Sequence, residues 1–209
     1  VQGYILTLLE GAINDKTIRK KYLDRANKGV ERLIAVIKDL DMIAKLENEG
    51  MNLNIEVFNM LELVQNVFDL FEMKAKKRNI KLMFDKVYEF PVFVMWDVEK
   101  IEQVLINLIV NSIKYGKPGG TTIVGVENYN EKKFVVKIVD NGEGIKKEHL
   151  PRLFERFYRV DQSRSRDQGG SGLGLAIVKH IIEAHDESIF LKSSHGEGSE
   201  FSFTINKAT

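Results

Sequence analysis

DQGGSGLGLAIVKHI, residues 167–181, places four glycines in six positions and then runs straight into an apolar helix. Backbone N–H groups at a helix N-terminus, freed of side chains, form a site for an anion. Two familiar phosphate loops are absent. No G-x-x-x-x-G-K-[ST] occurs anywhere in the chain. The dinucleotide fingerprint fails as well, because its third spacing is wrong and the polar loop Asp161–Gly169 stands where a strand should precede.

The flanking sequence sets the fold class. TTIVGVENY (121–129) and KFVVKIVDN (133–141) read as a hairpin of buried strands, and SIFLKSS (188–194) with SEFSFTIN (199–206) as a second hairpin. NLNIEVFN (52–59), IKLMFD (80–85) and FVMWD (93–97) are further strand candidates. Leu61, Val64, Phe68, Phe71 and Ala75 share one face of a helix, and 98–115 forms a strongly apolar one that Trp96 adjoins from the core. Hairpins dominate and regular β-α-β alternation is missing. The expected fold is therefore α+β: a two-layer sandwich, a mixed sheet covered on one face by helices.

In front of it an antiparallel helical hairpin is expected. Ile5, Leu8, Leu9 and Ala12 mark a first helix. Ala26, Val30, Leu33, Ile37, Leu40 and Ala44, spaced 4, 3, 4, 3, 4, give a heptad seam on a second helix over 16–48, with Asn14 and Asp15 as cap and turn. Residues 1–49 and 50–209 are expected as two domains. A narrow seam buries little alone, so pairing with a second copy is favoured over folding back at Glu49-Gly50. Val1 starts in helical register with no cap before it, which suggests a helix cut through its middle.

Composition removes several classes of function. The 31 basic and 30 acidic residues balance, which argues against a nucleic-acid binder, and the absence of cysteine excludes disulfides and thiolate chemistry. No apolar run reaches the ~18 residues of a membrane span, and no signal peptide opens the chain. A cytoplasmic location is expected.

Four stretches carry possible chemistry. In NLIVNSIKY, Asn107 and Asn111 lie at i, i+4, so two neutral oxygens sit a helical turn apart; they suit a well-hydrated magnesium or a local hydrogen bond. In DNGEGI, Asp140 ends a buried strand, with Gly142 and Gly144 at alternate positions. This is either an Asn-Gly turn or a carboxylate for an exocyclic amine beside glycines that admit a flat ring. LFERFYRV holds Phe154, Arg156, Phe157 and Arg159, either core and hinge or an arginine reaching a terminal phosphate. The fourth is the glycine stretch.

Taken in this order, these motifs resemble the ATP-binding catalytic domain of sensor histidine kinases, in the wider group with gyrase B, Hsp90 and MutL. KIEQVLINLIVNSIKYG is similar to the N box of that family and HGEGSEF to its last glycine motif; RFYR and GGSGLGLAIVKHII favour the histidine kinases. The resemblance implies ATP and Mg²⁺ as ligands. It implies Asp140 for the adenine amine, and Gly142 and Gly144 for the pocket around it. Asn111 would hold Mg²⁺ with Asn107 beside it. Lys114 and Arg159 would serve the phosphates and Tyr115 the nucleoside. Gly170, Ser171, Gly172 and Gly174 would follow the triphosphate, and Val160–Gly169 would form a lid. Ile145, Phe157 and Leu173 join the implied nucleotide contacts. Catalysis would fall to Asn107, Lys114 and Arg159. The implied partners are a response-regulator receiver domain and a second copy through the hairpin, in a membrane-anchored parent.

The pattern also departs from the family. Its acceptor histidine belongs on the first hairpin helix, yet His149, His180, His185 and His195 all lie beyond residue 50 and fit ordinary structural roles. The H box is expected upstream of Val1, leaving a fragment unable to phosphorylate itself. HDES (185–188) stands where the family more often has glycines. A nucleotide-binding scaffold without an acceptor is the alternative. A gyrase-type ATPase fits poorly, because asparagine at 107 cannot serve as a general base.

Overall fold

The computed structural model describes residues 1–48, 52–160 and 171–208. Two helices open the chain: α1, Gln2–Leu9, and α2, Lys16–Asn48, joined through a 3-10 turn, Ala12–Asn14. Asp15 starts α2, its Oδ1 accepting the N–H groups of Thr17 (2.8 Å) and Ile18 (3.0 Å). There follow β1 (Ile55–Asn59), α3 (Met60–Lys77), β2 (Lys81–Phe84), β3 (Phe93–Asp97) and α4 (Val98–Tyr115). Then come β4 (Thr121–Asn128), β5 (Lys133–Asp140), a 3-10 turn (Lys147–Arg152), α5 (Gly174–Ala184), β6 (Ile189–Ser194) and β7 (Gly198–Asn206).

The main sheet has five strands in the order β2-β4-β5-β7-β6, parallel only between β2 and β4. β1 and β3 form a separate antiparallel ribbon, linked to the chain end after β7 by the Val94–Lys207 bridge. Strand alternation explains the layering. Phe84, Val124, Ile138, Phe201 and Leu191 stand side by side across all five strands, and all belong to or pack against one core with α3, α4 and α5. The other face carries the Lys137–Glu127 (2.5 Å) and Lys192–Glu200 (3.6 Å) pairs. The expected two-layer sandwich is the fold observed.

Caps position the two helices that matter most. Asn59 accepts the Leu61 N–H at 3.2 Å and donates to Glu62 at 3.0 Å, starting α3. Asp97 caps α4 through the Lys100 N–H (3.1 Å) and also accepts the Asn54 N–H (3.0 Å), which ties the helix start to the segment just before β1.

The hairpin departs from expectation. Of its anticipated apolar positions, Leu8 and Ala26 are buried, but Leu33 (56%) and Ile37 (64%) are exposed. A different face of α2 docks on the sandwich: Val36 and Ile43, at i and i+7, join its core, and Asp39 between them reaches Ser171. The chain does fold back on itself, and the seam from Val30 to Leu40 is left exposed. Among the described residues no helix is long and apolar enough to cross a membrane.

Candidate functional site

The end of β5, the end of α4 and the start of α5 converge on one cavity of about 490 Å³. Asp140 closes β5, and its Oδ1 accepts the Gly142 N–H at 2.8 Å. Burial pushes this carboxyl above the usual aspartate range, opposed by the N–H groups of Gly142 and Ser199. The two glycines after it are sterically required. A Cβ on Gly142 would lie 2.5 Å from the Tyr115 carbonyl oxygen. Gly144 has φ +64°, and a Cβ there would meet the Ser194 carbonyl oxygen at 1.9 Å. The Ile145 N–H donates to Ser193 Oγ at 2.8 Å and the Glu143 N–H to the Tyr115 carbonyl at 3.1 Å, locking this loop to β6 and to α4.

α4 gives the cavity Asn111, Ser112, Lys114 and Tyr115 from its last turn and a half. Ser112 Oγ and Thr122 Oγ1 lie 2.8 Å apart, both buried, beside the Asp140 end of the sheet. The Lys114 ammonium stands 4.9 Å over the Tyr115 ring. A third wall holds Tyr158, Arg159 and Val160. Tyr158 is fixed by a 2.8 Å hydrogen bond with His149 Nδ1 and by the Arg152 guanidinium 4.4 Å over its ring. Gly172, at φ +76°, completes the mouth; a Cβ there would come within 2.9 Å of the Phe157 backbone, whose N–H donates to the Gly172 carbonyl at 2.9 Å.

Asn111, Lys114, Tyr115, Asp140, Gly144, Ile145, Arg159 and Gly172 therefore share the cavity. Asn107 sits one turn deeper on α4, its Oδ1 3.1 Å from an ideal Cβ on Gly174, so α5 begins hard against it. Among the described residues its buried Nδ2 has no hydrogen-bond partner. That unspent N–H donor suits an anionic oxygen such as a phosphate's, while a hydrated hard cation would draw on the neutral carboxamide oxygens of Asn111 and Asn107. Ser171 turns away: its hydroxyl donates to Asp39 Oδ2 at 2.8 Å and accepts the Leu173 N–H at 3.1 Å. Leu173 is fully buried in the core, and Phe157, at φ +62°, is 58% exposed, so neither side chain reaches the cavity. Gly170 and the lid span 161–169 lie outside the described residues.

Several cavity residues went unforeseen: Arg78, Ser112, Glu143, Leu153, Tyr158, Leu175, Ser199 and Phe201. Ser199 and Phe201 had a signal, since alternate positions of a strand paired with Asp140 face the same side. Arg78 had none. Of the histidines, His180 approaches Arg156 at 3.4 Å, and His185 is buried with its ring stacked 3.7 Å from Trp96. In the HDES turn Asp186 adopts φ +58°, the conformation glycine enters without strain.

A helix-backed sheet with a strand-end aspartate, alternate glycines and a glycine-led helix around one cavity defines a nucleotide-binding domain. Residues 96–209 match the histidine kinase-, DNA gyrase B-, and HSP90-like ATPase family, and the chain belongs to it. It is 33% identical over 206 residues to the sensor histidine kinase WalK of Bacillus subtilis, an alignment that covers 98% of this chain and 33% of that protein; the chain thus spans about a third of that relative's length. The Acinetobacter baumannii histidine kinase AdeS superposes with TM-score 0.77 at 29% identity, covering 100% of this chain and 93% of that one. Histidine kinase ThkA, solved in complex with the response regulator TrrA, gives TM-score 0.78 at 28% identity over 99% of this chain and 56% of that one. The chain thus carries a domain of this ATPase family and is similar to sensor histidine kinases along nearly its whole length.

Proposed function

We propose that the cavity takes MgATP and that the domain transfers the γ-phosphate to a histidine, for relay to an aspartate of a response regulator. What carries the proposal is the meeting of Asp140, Asn111 and the Gly172 loop around a single cavity. Asp140 pays a burial penalty that an N–H donor on the ligand offsets, which the adenine amine supplies. Gly142 and Gly144 let the loop beside Asp140 pack against the Tyr115 and Ser194 carbonyls, which shapes the pocket for the ring. Tyr115 and Ile145 hold the nucleoside, and Lys114 and Arg159 offset phosphate charge. Asn111, backed by Asn107, would hold Mg²⁺. That ion, when bound, neutralises phosphate charge and orients the chain for in-line attack. An imidazole nitrogen bonds to the γ-phosphorus, the bond to the bridging oxygen breaks, ADP leaves, and the imidazole proton passes to solvent.

Residues 1–49 contain no histidine, so the acceptor is supplied from outside this stretch and the chain alone is not labelled on its hairpin. The uncovered seam with Leu33 and Ile37 supports pairing with a second copy. The ThkA–TrrA complex supports a receiver-domain partner. A cytoplasmic site of action and a membrane anchor elsewhere in the polypeptide belong to the same proposal, on the strength of the sensor-kinase relatives.

The test is incubation with γ-labelled ATP and Mg²⁺, alone and with a histidine-bearing hairpin added as a separate protein. Acid-labile label on the added hairpin, and none on residues 1–49, is expected. Label within 1–49 contradicts the acceptor assignment. Bound ATP without any transfer contradicts the kinase assignment and leaves a nucleotide-binding scaffold.

A further inference from the structure

Arg78 lines the cavity from a part of the chain to which no motif points. It is the C-cap of α3, with φ −100° and ψ 3°; its N–H turns back to the Ala75 carbonyl and the Asn79 N–H to that of Lys76, both at 3.0 Å. That turn ends the helix and sets the half-buried side chain in the cavity wall that also holds Lys114 and Tyr115.

A basic residue at a helix end ordinarily answers the negative end of the helix dipole. In α3 that role is filled by Lys74, Lys76 and Lys77 of the last turn. Lys76 in addition pairs with Glu72 at 2.6 Å. Arg78 adds a further positive charge and directs it into the cavity. Among the described residues it forms no ion pair, although two carboxylates, Asp140 and Glu143, line the same space. Asp140 is engaged instead by the backbone N–H groups of Gly142 and Ser199.

The positive charges around Arg78 are crowded. The Lys74 ammonium is held below the ordinary lysine range, by burial first and then by repulsion from Lys114 and Arg78. Cations gathered at a concave wall raise the energy of the empty protein, and an entering anion relieves it. A planar guanidinium is suited to two parallel bonds with phosphate oxygens.

We infer that Arg78 is a phosphate-binding residue of the nucleotide site, bonding the phosphate chain of ATP from the end of α3 while Lys114 acts from α4 and Arg159 from the segment after the Lys147–Arg152 turn. This rests on the nucleotide function proposed above. The experiment measures affinities of the wild type, Arg78→Gln and Arg78→Lys for ATP and for adenosine, by displacement of a fluorescent ATP analogue with Mg²⁺ present. Unfolding midpoints are recorded alongside. Arg78→Gln is expected to weaken ATP about tenfold or more, the scale of a lost charge-assisted hydrogen bond, and to leave adenosine within about twofold. Arg78→Lys recovers part of the loss. Equal losses for ATP and adenosine would mean that Arg78 only shapes the cavity, and overturn the assignment. So does an unchanged ATP affinity in Arg78→Gln. A wild type that binds neither ATP nor the analogue removes the nucleotide function itself, a result distinct from a failure at Arg78 alone.

Discussion

Asp140 is held at a cost to the fold. Its carboxyl is raised above the ordinary aspartate range by burial, so the folded state favours the protonated form. The stability it contributes is therefore full below the unfolded-state pKa and is lost as pH rises through the folded value. At neutral pH Asp140→Asn removes that cost while keeping an acceptor for the Gly142 N–H, so the thermal midpoint should hold or rise. ATP affinity should fall by about a hundredfold, because the carboxylate proposed to receive the adenine amine is gone. Calorimetric unfolding and ATP titration on the same sample check both halves. His185 behaves in the opposite sense. Burial holds it below the ordinary histidine range, against the backbone bond to Ile181 and the nearby Asp97 and Glu187 carboxylates, which favour the charged form, and with Lys100 adding to the depression. Its contribution is present above the unfolded-state value of about 6.5 and lost as pH falls through the folded one. His185→Phe should flatten the loss of stability on acidification below pH 6.5. Trp96, the only tryptophan, stacked 3.7 Å from His185, reports the transition by fluorescence. A pH profile unchanged by the substitution would show that other groups control it.

At the scale of elements, the strand-end loop after β5 is the most constrained piece of backbone in the site. Gly144→Ala forces a Cβ to within 1.9 Å of a backbone oxygen at φ +64°, and should destabilise the domain by about 3 kcal/mol or more, with loss of ATP binding. Denaturant unfolding measures the first effect; an alanine variant of near wild-type stability would show that the loop relaxes. Strands and helices were legible because apolar alternation and helical spacing leave a signal in every residue of an element. The β5–β7 pairing even places Ser199 opposite Asp140. Arg78 was not legible: a helix cap turns it toward α4 from far along the chain, and no local spacing encodes that meeting. Phe157 and Leu173 show the converse. Both lie in nucleotide motifs, yet one is swung outward by its positive φ and the other fills the core beneath the loop.

For the whole molecule the open question was where the hairpin goes. A heptad seam is a strong pattern, and it drew attention from the second stripe, Val36, Asp39 and Ile43, which docks α2 on the sandwich. Ile43 is 3% exposed within the sandwich core. Ile43→Ala should therefore cost the ATP-binding domain about 2–4 kcal/mol, although the residue belongs to the helical hairpin. A variant that unfolds the hairpin first and leaves the domain's midpoint untouched would mean that the two are independent. The docking also ties the Gly172 loop to α2 through the Ser171–Asp39 hydrogen bond. The most direct measurement of the central claim is an isothermal titration of ATP into the chain, with and without Mg²⁺, beside Asn111→Ala and Asp140→Asn. One ATP bound per chain is expected, strengthened by Mg²⁺ in the wild type, indifferent to Mg²⁺ in Asn111→Ala and weakened about a hundredfold in Asp140→Asn. Binding that neither substitution changes would contradict the assignment of this cavity as the MgATP site.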